Sequence, residues 1–145
     1  MERHVHLPGF KQYGELPAFF GLAQAFVHAS TTEQWGLVVN EAMASGLPVL
    51  ISDRCGCAMD LVAENKNGFT FPPENVETLA QLMLKVSESG FPLVTFGAES
   101  RRIVSHWGPE RFAAGLRDAV ETALKTPARK AGLLDRLLLK LLRHR

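Results

Sequence analysis

Short apolar runs alternate with segments of helical periodicity along most of the chain. The runs are typical of buried strands, whereas apolar residues at every third or fourth position are typical of helices. This pattern predicts strands at residues 25–29, 49–52 and 68–71, and the alternation of basic and apolar residues at residues 3–7 predicts one more. It predicts helices at residues 15–24, 36–45, 57–64, 76–88, 93–106 and 109–125, with Asn75 as the cap of the fourth and Pro109 in the first turn of the last.

Strands that alternate with helices along the chain indicate a parallel sheet, because a parallel pair needs a crossover connection. The expected fold class is therefore α/β, a Rossmann-like parallel sheet with flanking helices. Thr126-Pro127 is a plausible boundary, since the residue before a proline disfavours a helix. The predicted organisation is a lobe at residues 1–126, followed by a basic amphipathic helix at residues 127–145.

The composition narrows the class of protein. The chain has 145 residues, of which 46% are hydrophobic and 21% are charged, as in a soluble globular domain. It is short for an enzyme that closes two lobes over a substrate. A net charge of +1 gives no global field for nucleic acid, and no apolar run is long enough for a signal peptide or a membrane span.

Two cysteines, Cys55 and Cys57, lie too close together in sequence for a secreted disulfide framework. Their presence fits a reducing compartment, so a cytoplasmic location is expected. Two thiols could also be metal ligands, but no second pair lies nearby in the sequence and no metal is expected.

The C-terminal segment has its own pattern. From residue 129 onward it contains one acidic residue, Asp135, and six basic residues: Arg129, Lys130, Arg136, Lys140, Arg143 and Arg145. As a helix it gathers leucines on one side and cations near the other, which is typical of a helix lying in a membrane interface. Contact with the inner face of the membrane and packing on a protein partner are both open interpretations.

Candidate chemistry lies in the loops after the strands, because open parallel sheets bind ligands beyond the carboxyl ends of their strands. The loop at residues 30–36 leads into a helix and places Glu33 and Glu41 on either side of its start. If the stretch were helical throughout, the two glutamates would lie about 12 Å apart along the axis. The free N–H groups of Gly36, Leu37 and Val38 suit a diphosphate or a sugar hydroxyl.

Structural roles compete with this interpretation. Ser30 and Glu33 have the spacing of a capping box, in which Glu33 completes a helix start. Glu41 shares a helix face with Leu37, Ala44 and Ser45 and could be a solvated side chain. Among the histidines, His28 stands near a strand end and could line the site. Trp107 is expected in the core.

The combined pattern resembles a known family. Glu33 and Glu41 are followed by Ala-Met-Ala-Ser-Gly-Leu-Pro-Val, then by Ser52-Asp53-x-x-Gly56, and later by Asn67-Gly68-Phe69 and Ser105-His106-Trp107. This arrangement closely resembles the C-terminal, donor-binding lobe of the retaining GT-B glycosyltransferases of group 1 (family 4). The resemblance covers about residues 5–125.

The resemblance implies roles for particular residues. Glu33 would be the catalytic carboxylate beside the donor sugar and β-phosphate, and Glu41 would bind the ribose hydroxyls. Backbone groups at Gly36, Leu37 and Val38 would contact the diphosphate and sugar. The loop residues that would cradle the nucleobase are Gly9, Phe10 and Lys11.

The expected function follows from those roles. The chain would be the donor-binding domain of a hexosyltransferase that uses a nucleotide-diphosphate sugar with retention of configuration, without a resident cofactor or metal. The acceptor lobe of such enzymes, and their basic pair for the diphosphate, are not recognised in the sequence, so a missing N-terminal lobe or a neighbouring chain is an expected partner. The isolated chain would lack full activity. The alternative is a non-catalytic nucleotide-binding or protein-interaction module.

Overall fold

Three parallel strands form a sheet in which each strand pairs with the next one along the chain. The computed structural model describes residues 4–127, Gly132 and Leu142. The strands are β1 (Phe26–His28), β2 (Val49–Ser52) and β3 (Gly68–Phe71). β2 lies between the other two and all of its residues are buried, as expected for a parallel strand covered on both faces.

The helices lie where the periodicity predicts them. They are α1 (Leu16–Leu22), which follows a 3-10 turn at Tyr13–Glu15, α2 (Leu37–Ala44), α3 (Ala58–Leu61), α4 (Val76–Ser87), α5 (Leu93–Val104) and α6 (Pro109–Lys125). Asn75 caps α4, because its side-chain oxygen accepts a hydrogen bond from the Thr78 N–H at 3.0 Å. The expected α/β class, a parallel sheet flanked by helices, is confirmed.

One helix is shorter than the pattern predicts. α3 ends at Leu61, and the buried side chain of Asn67 takes over the backbone groups beyond it. Its amide donates to the Leu61 carbonyl at 2.9 Å, and its oxygen accepts from the Ala63 N–H at 2.7 Å. These bonds compete with continuation of the helix and lead the chain into β3.

Helices cover both faces of the sheet. Val49 and Ile51 of β2 pack on one face with side chains of α2 and α3, and Leu50 packs on the other face with Phe69 and Phe71 of β3. α4 contributes to the second layer, and α5 contributes to both layers. This packing fixes α2 against the sheet and therefore fixes the glutamates that flank its start.

The strand predicted at residues 3–7 is wrong. Residues 5–12 are irregular, and Val5 and Leu7 are 61% and 91% exposed. Alternating polar and apolar residues form a strand only where a neighbouring strand completes the hydrogen bonds and a core covers one face. Neither is available to this segment in the part of the chain that the structure describes.

The chain divides into two compact units, Met1–Gly108 and Pro109–Arg145. The first holds the sheet and α1 to α5. The second holds α6, on which Phe112, Leu116 and Val120 are more than half exposed. The predicted boundary at Thr126-Pro127 stays a prediction, and the basic helix predicted at residues 127–145 lies almost wholly outside the described residues. Within those residues no helix has the length and apolarity to cross a membrane.

Candidate functional site

The loops after β1 and β2 meet at the carboxyl edge of the sheet, as the topology predicts. Glu33 and Cys55 form an isolated parallel bridge. The Gly56 N–H donates to the Glu33 carbonyl at 3.0 Å, and the Cys57 N–H donates to the Trp35 carbonyl at 3.3 Å. The loop after β2 therefore holds the backbone of the segment that carries Glu33.

Gly36 sets where α2 begins. Its φ of +92° lies in the left-handed region, which favours glycine, and the helix starts at the next residue, Leu37. Glu33 thus precedes the helix, so the estimate of 12 Å along a common axis does not apply. The first N–H groups of α2 have no acceptor within the helix, and Gly36 has no side chain to supply one.

The capping-box interpretation of Ser30 and Glu33 is wrong. The Ser30 hydroxyl donates to the Thr32 carbonyl at 3.0 Å, far from any helix start. One carboxylate oxygen of Glu33, Oε1, accepts from the Trp35 N–H at 3.3 Å, before the helix begins. The left-handed turn at Gly36 shifts the start of α2 beyond the reach of both side chains.

The second carboxylate oxygen of Glu33 faces a histidine. Oε2 lies 4.0 Å from Nε2 of His28, the last residue of β1. Both side chains are partly exposed, at 35% for Glu33 and 22% for His28. His28 therefore lies beside Glu33 at the carboxyl end of β1, and its role in a ligand site stays a prediction.

The two cysteines are buried under this loop and are not bonded to each other. Burial, and after it the charge of Glu33, raises the pKa of the Cys55 thiol. Burial, and after it the proximity of Cys55, raises the pKa of Cys57 to about 11. Both groups are neutral thiols near pH 7 and pack as apolar side chains. In the described part of the chain no three His, Cys, Asp or Glu side chains are grouped so as to hold a metal ion.

Glu41 lies at the border of two cavities. A cavity of about 230 Å³ opens between α1 and α2 and is lined by Tyr13, Leu16, Pro17, Phe20, Glu41, Ala44 and Ser45. A larger one of about 540 Å³ opens between α2 and α5 and is lined by Asn40, Glu41, Ala44, Arg101, Val104, Ser105, Trp107 and Gly108. Within residues 4–127 the Glu41 carboxylate has no hydrogen bond or ion pair. A half-buried carboxylate of this kind is available to a ligand.

Two tryptophans hold the loop before α2 in place. The Trp35 indole N–H donates to the Asn40 side-chain oxygen at 3.0 Å, which ties the loop to the helix. The ring of Trp35 packs against the ring of Trp107, with centroids 5.1 Å apart. Trp107 also packs against the buried cluster under α2, as expected of a core residue.

The loop at residues 9–11 lies beside α1. Gly9 has a φ of +73° and Phe10 is 87% exposed. The Lys11 ammonium lies 3.9 Å from Oε1 of Glu15 and 5.7 Å from the centre of the Phe19 ring. These residues do not line the smaller cavity, whose lining begins at Tyr13.

Tyr13 is a residue that sequence reasoning missed. It belongs to the 3-10 turn before α1 and lines the cavity at Glu41 together with residues of α1 and α2. The available signal was an aromatic residue directly before a predicted helix, at the end of a glycine-bearing loop.

Comparison with known proteins identifies the family. The chain belongs to the family described as "Glycosyl transferases group 1", whose sequence pattern matches residues 1–104. The sulfoquinovosyl transferase SQD2 of Arabidopsis thaliana is 43% identical over 72 residues, which are 48% of this chain and 14% of that protein.

Solved structures show the same fold. A sucrose-phosphate synthase from Thermosynechococcus elongatus superimposes with a TM-score of 0.72 at 25% identity, over 84% of this chain and 31% of that one. The C-terminal domain of the group 1 protein LpcC from Francisella tularensis gives a TM-score of 0.58 at 23% identity, over 68% of this chain and 50% of that domain. The expected resemblance to GT-B glycosyltransferases is confirmed.

The alignments cover a small part of the relatives. The chain spans a third or less of the length of the curated relatives that it matches, among them SQD2 and an uncharacterized glycosyltransferase of Methanocaldococcus jannaschii.

Proposed function

We propose that this group 1 glycosyltransferase domain binds a nucleotide-diphosphate sugar and presents it for transfer with retention of configuration. One observation carries the proposal: Glu33 and Glu41 flank the start of α2 at the carboxyl edge of a parallel sheet. A helix start with free N–H groups favours a diphosphate, and carboxylates on either side accept hydroxyl hydrogen bonds from the sugar and the ribose.

The nucleoside end of the ligand is assigned to Glu41. Its carboxylate borders the smaller cavity, whose other side chains are mainly apolar and aromatic. Such a lining suits the flat face of a nucleobase, while the carboxylate accepts the two ribose hydroxyls. Gly9, Phe10 and Lys11 do not line this cavity but precede Tyr13 in the chain, and we assign their loop to the outer edge of the base.

The diphosphate is assigned to the backbone of Gly36, Leu37 and Val38. Lys11 can add a positive charge, because its ion pair with Glu15 is long, at 3.9 Å, and partly exposed, and such pairs contribute little free energy. Transfer then depends on holding the sugar and on stabilising the leaving diphosphate with preorganised dipoles.

The catalytic end is assigned to Glu33. Its backbone is held by the loop after β2 and one of its carboxylate oxygens by the Trp35 N–H, so the other oxygen is directed by the fold. In this role Glu33 accepts hydrogen bonds from the donor sugar beside the β-phosphate. The names of the relatives, among them a sulfoquinovosyl transferase, support a sugar as the transferred group.

Two glutamate variants test the assignment. We expect Glu41→Ala to weaken binding of a nucleoside diphosphate by about 1.5–3 kcal/mol, the contribution of hydrogen bonds to a charged group. Glu33→Ala should leave that affinity nearly unchanged and weaken binding of the corresponding nucleotide sugar. Calorimetry with UDP, GDP and ADP and their sugars measures both effects.

The matched control is Glu88→Ala. Glu88 is exposed at the end of α4, which starts after the carboxyl end of β3 and runs back along the sheet. Equal affinities for the wild type and for all three variants would contradict the proposal. The same titration separates the alternative of a protein-interaction module, which predicts no nucleotide binding.

A complete transferase also needs an acceptor site, and we assign that site to a partner lobe or chain. The purified 145-residue chain should therefore bind nucleotide without multiple-turnover transfer to an added acceptor. Rapid turnover by this chain alone would contradict the assignment of the acceptor site to a partner.

A further inference from the structure

The imidazole of His28 has an unexplained nitrogen. Nε2 is buried and has no hydrogen-bond partner among the residues that the structure describes. A buried ring nitrogen without a partner costs free energy and is rare in folded proteins. The nearest charged group given by the structure is the Glu33 carboxylate, with Oε2 at 4.0 Å.

Packing holds this imidazole in place. Its ring is stacked on the ring of Phe26, two residues earlier in β1, with an angle of 14° between the planes and 6.2 Å between the centroids. Gly36 lies close to the imidazole, because a Cβ at that position would lie 3.7 Å from Nε2. The same Cβ would lie 3.3 Å from Cγ of Glu33, so the two side chains share one narrow space.

Glu33 is held at one oxygen and unpaired at the other. Oε1 accepts from the Trp35 N–H at 3.3 Å, whereas Oε2 faces Nε2 about 1 Å beyond hydrogen-bond distance. A small rotation of the carboxylate closes this gap. The neighbouring Cys55 thiol stays neutral and does not compete as a charge.

We propose that His28 is a positioning residue for Glu33: its Nε2–H donates to Oε2 and directs the carboxylate toward the donor sugar. This inference rests on the proposed function, in which Glu33 contacts that sugar. It requires a proton on Nε2, since only an N–H can donate to the carboxylate. Two donors, Trp35 N–H and His28 Nε2–H, then fix the carboxylate before the sugar arrives, which lowers the entropy lost on binding.

The binding test separates positioning from a structural role. Its measured quantity is the sugar increment, the ratio of the affinity for a nucleotide sugar to the affinity for the same nucleoside diphosphate. We expect His28→Met to reduce this ratio about tenfold while changing the diphosphate affinity less than twofold. His28→Gln, whose amide N–H reaches the position of Nε2, should restore most of the ratio.

The outcomes decide between the roles. A purely structural role lowers both affinities together and gives no rescue by glutamine. A sugar increment that Glu33→Gln removes but His28→Met leaves intact would overturn the positioning role while the proposed function stands.

A second measurement needs no ligand and no variant of His28. Nitrogen-15 NMR of the imidazole at neutral pH should show a protonated Nε2 in the wild type. Its signal should move in Glu33→Gln and stay in place in Glu88→Gln. A proton on Nδ1 instead, or a signal insensitive to Glu33→Gln, would overturn the proposal. If the wild type shows no sugar increment at all, the proposed function fails, and this signal still decides whether His28 donates to Glu33.

Discussion

At the scale of single residues, Gly56 controls the position of the loop that carries Glu33. A Cβ added at Gly56 would lie 1.8 Å from the Gln34 carbonyl oxygen, a distance that no folded chain accepts. We expect Gly56→Ala to lower the free energy of unfolding by about 1–3 kcal/mol, as overpacking does. The displaced loop should also weaken nucleotide-sugar binding.

Gly90→Ala is the matched control for Gly56→Ala. A Cβ at Gly90 meets no atom within 4 Å, so this variant should stay within about 0.5 kcal/mol of the wild type. Urea denaturation of both variants measures the difference. Equal stabilities would show that the two loops are not held together as described.

The pKa of Cys57 predicts a loss of stability in alkali. The folded state raises this pKa from 9.0 to about 11, so it holds the thiol proton more tightly than the unfolded chain does. The resulting stabilisation is fully present below pH 9 and is lost as the pH rises through about 11.

We therefore expect a change from pH 8 to pH 10.5 to cost the wild type about 1–2 kcal/mol more than it costs Cys57→Ala, which cannot titrate. Urea midpoints at the two pH values measure this difference. Parallel losses in the two proteins would contradict the raised pKa.

At the scale of elements, a variant at the start of α4 tests whether the stability of the fold can be lowered without changing nucleotide binding. Asn75→Ala removes the hydrogen bond to the Thr78 N–H and should cost about 1 kcal/mol, the usual effect of losing a helix cap. Nucleotide affinity should stay the same, because no residue of α4 lines either cavity at Glu41. Asn75→Asp, which keeps the accepting oxygen, should retain most of the stability. A parallel loss of affinity in Asn75→Ala would show that α4 is coupled to the site.

Most elements could be predicted because their residues are buried in a regular pattern. β2 and β3 were predicted at their observed bounds, since strands with buried faces appear as apolar runs between turn residues. The strand at residues 3–7 was not, because its alternation has no neighbouring strand to meet. The capping box of Ser30 and Glu33 did not form, because the left-handed φ of Gly36 places the start of α2 at Leu37.

The candidate site was predictable only in part. Glu33 and Glu41 stand out through their resemblance to a family pattern, and their contacts with sugar and ribose stay predictions. The proximity of His28 and Glu33 depends on the turn at Gly36. The contribution of Tyr13 depends on the cavity that α1 and α2 line together. The distances between these side chains are set by tertiary packing, which sequence periodicity does not encode.

At the scale of the whole molecule, the C-terminal segment offers a test of membrane contact. We expect the full chain to sediment with anionic vesicles at low salt, because leucines can be buried in the interface while each cation adds about 1 kcal/mol near the surface. Deleting residues 126–145 should abolish sedimentation and leave nucleotide binding intact. Vesicles of neutral lipid are the control. A full chain that stays in the supernatant would assign the leucines to a protein partner instead.

The order of the strands also bears on how the molecule folds. Each strand pairs with the next one along the chain, Phe26 with Val49 and Val49 with Gly68, so no pairing has to wait for a distant segment. The crossovers at residues 29–48 and 53–67 cost less entropy to close than connections between strands further apart in the chain would. Assembly can therefore spread from β2 to its two neighbours, and amide hydrogens in β2 should exchange with deuterium last.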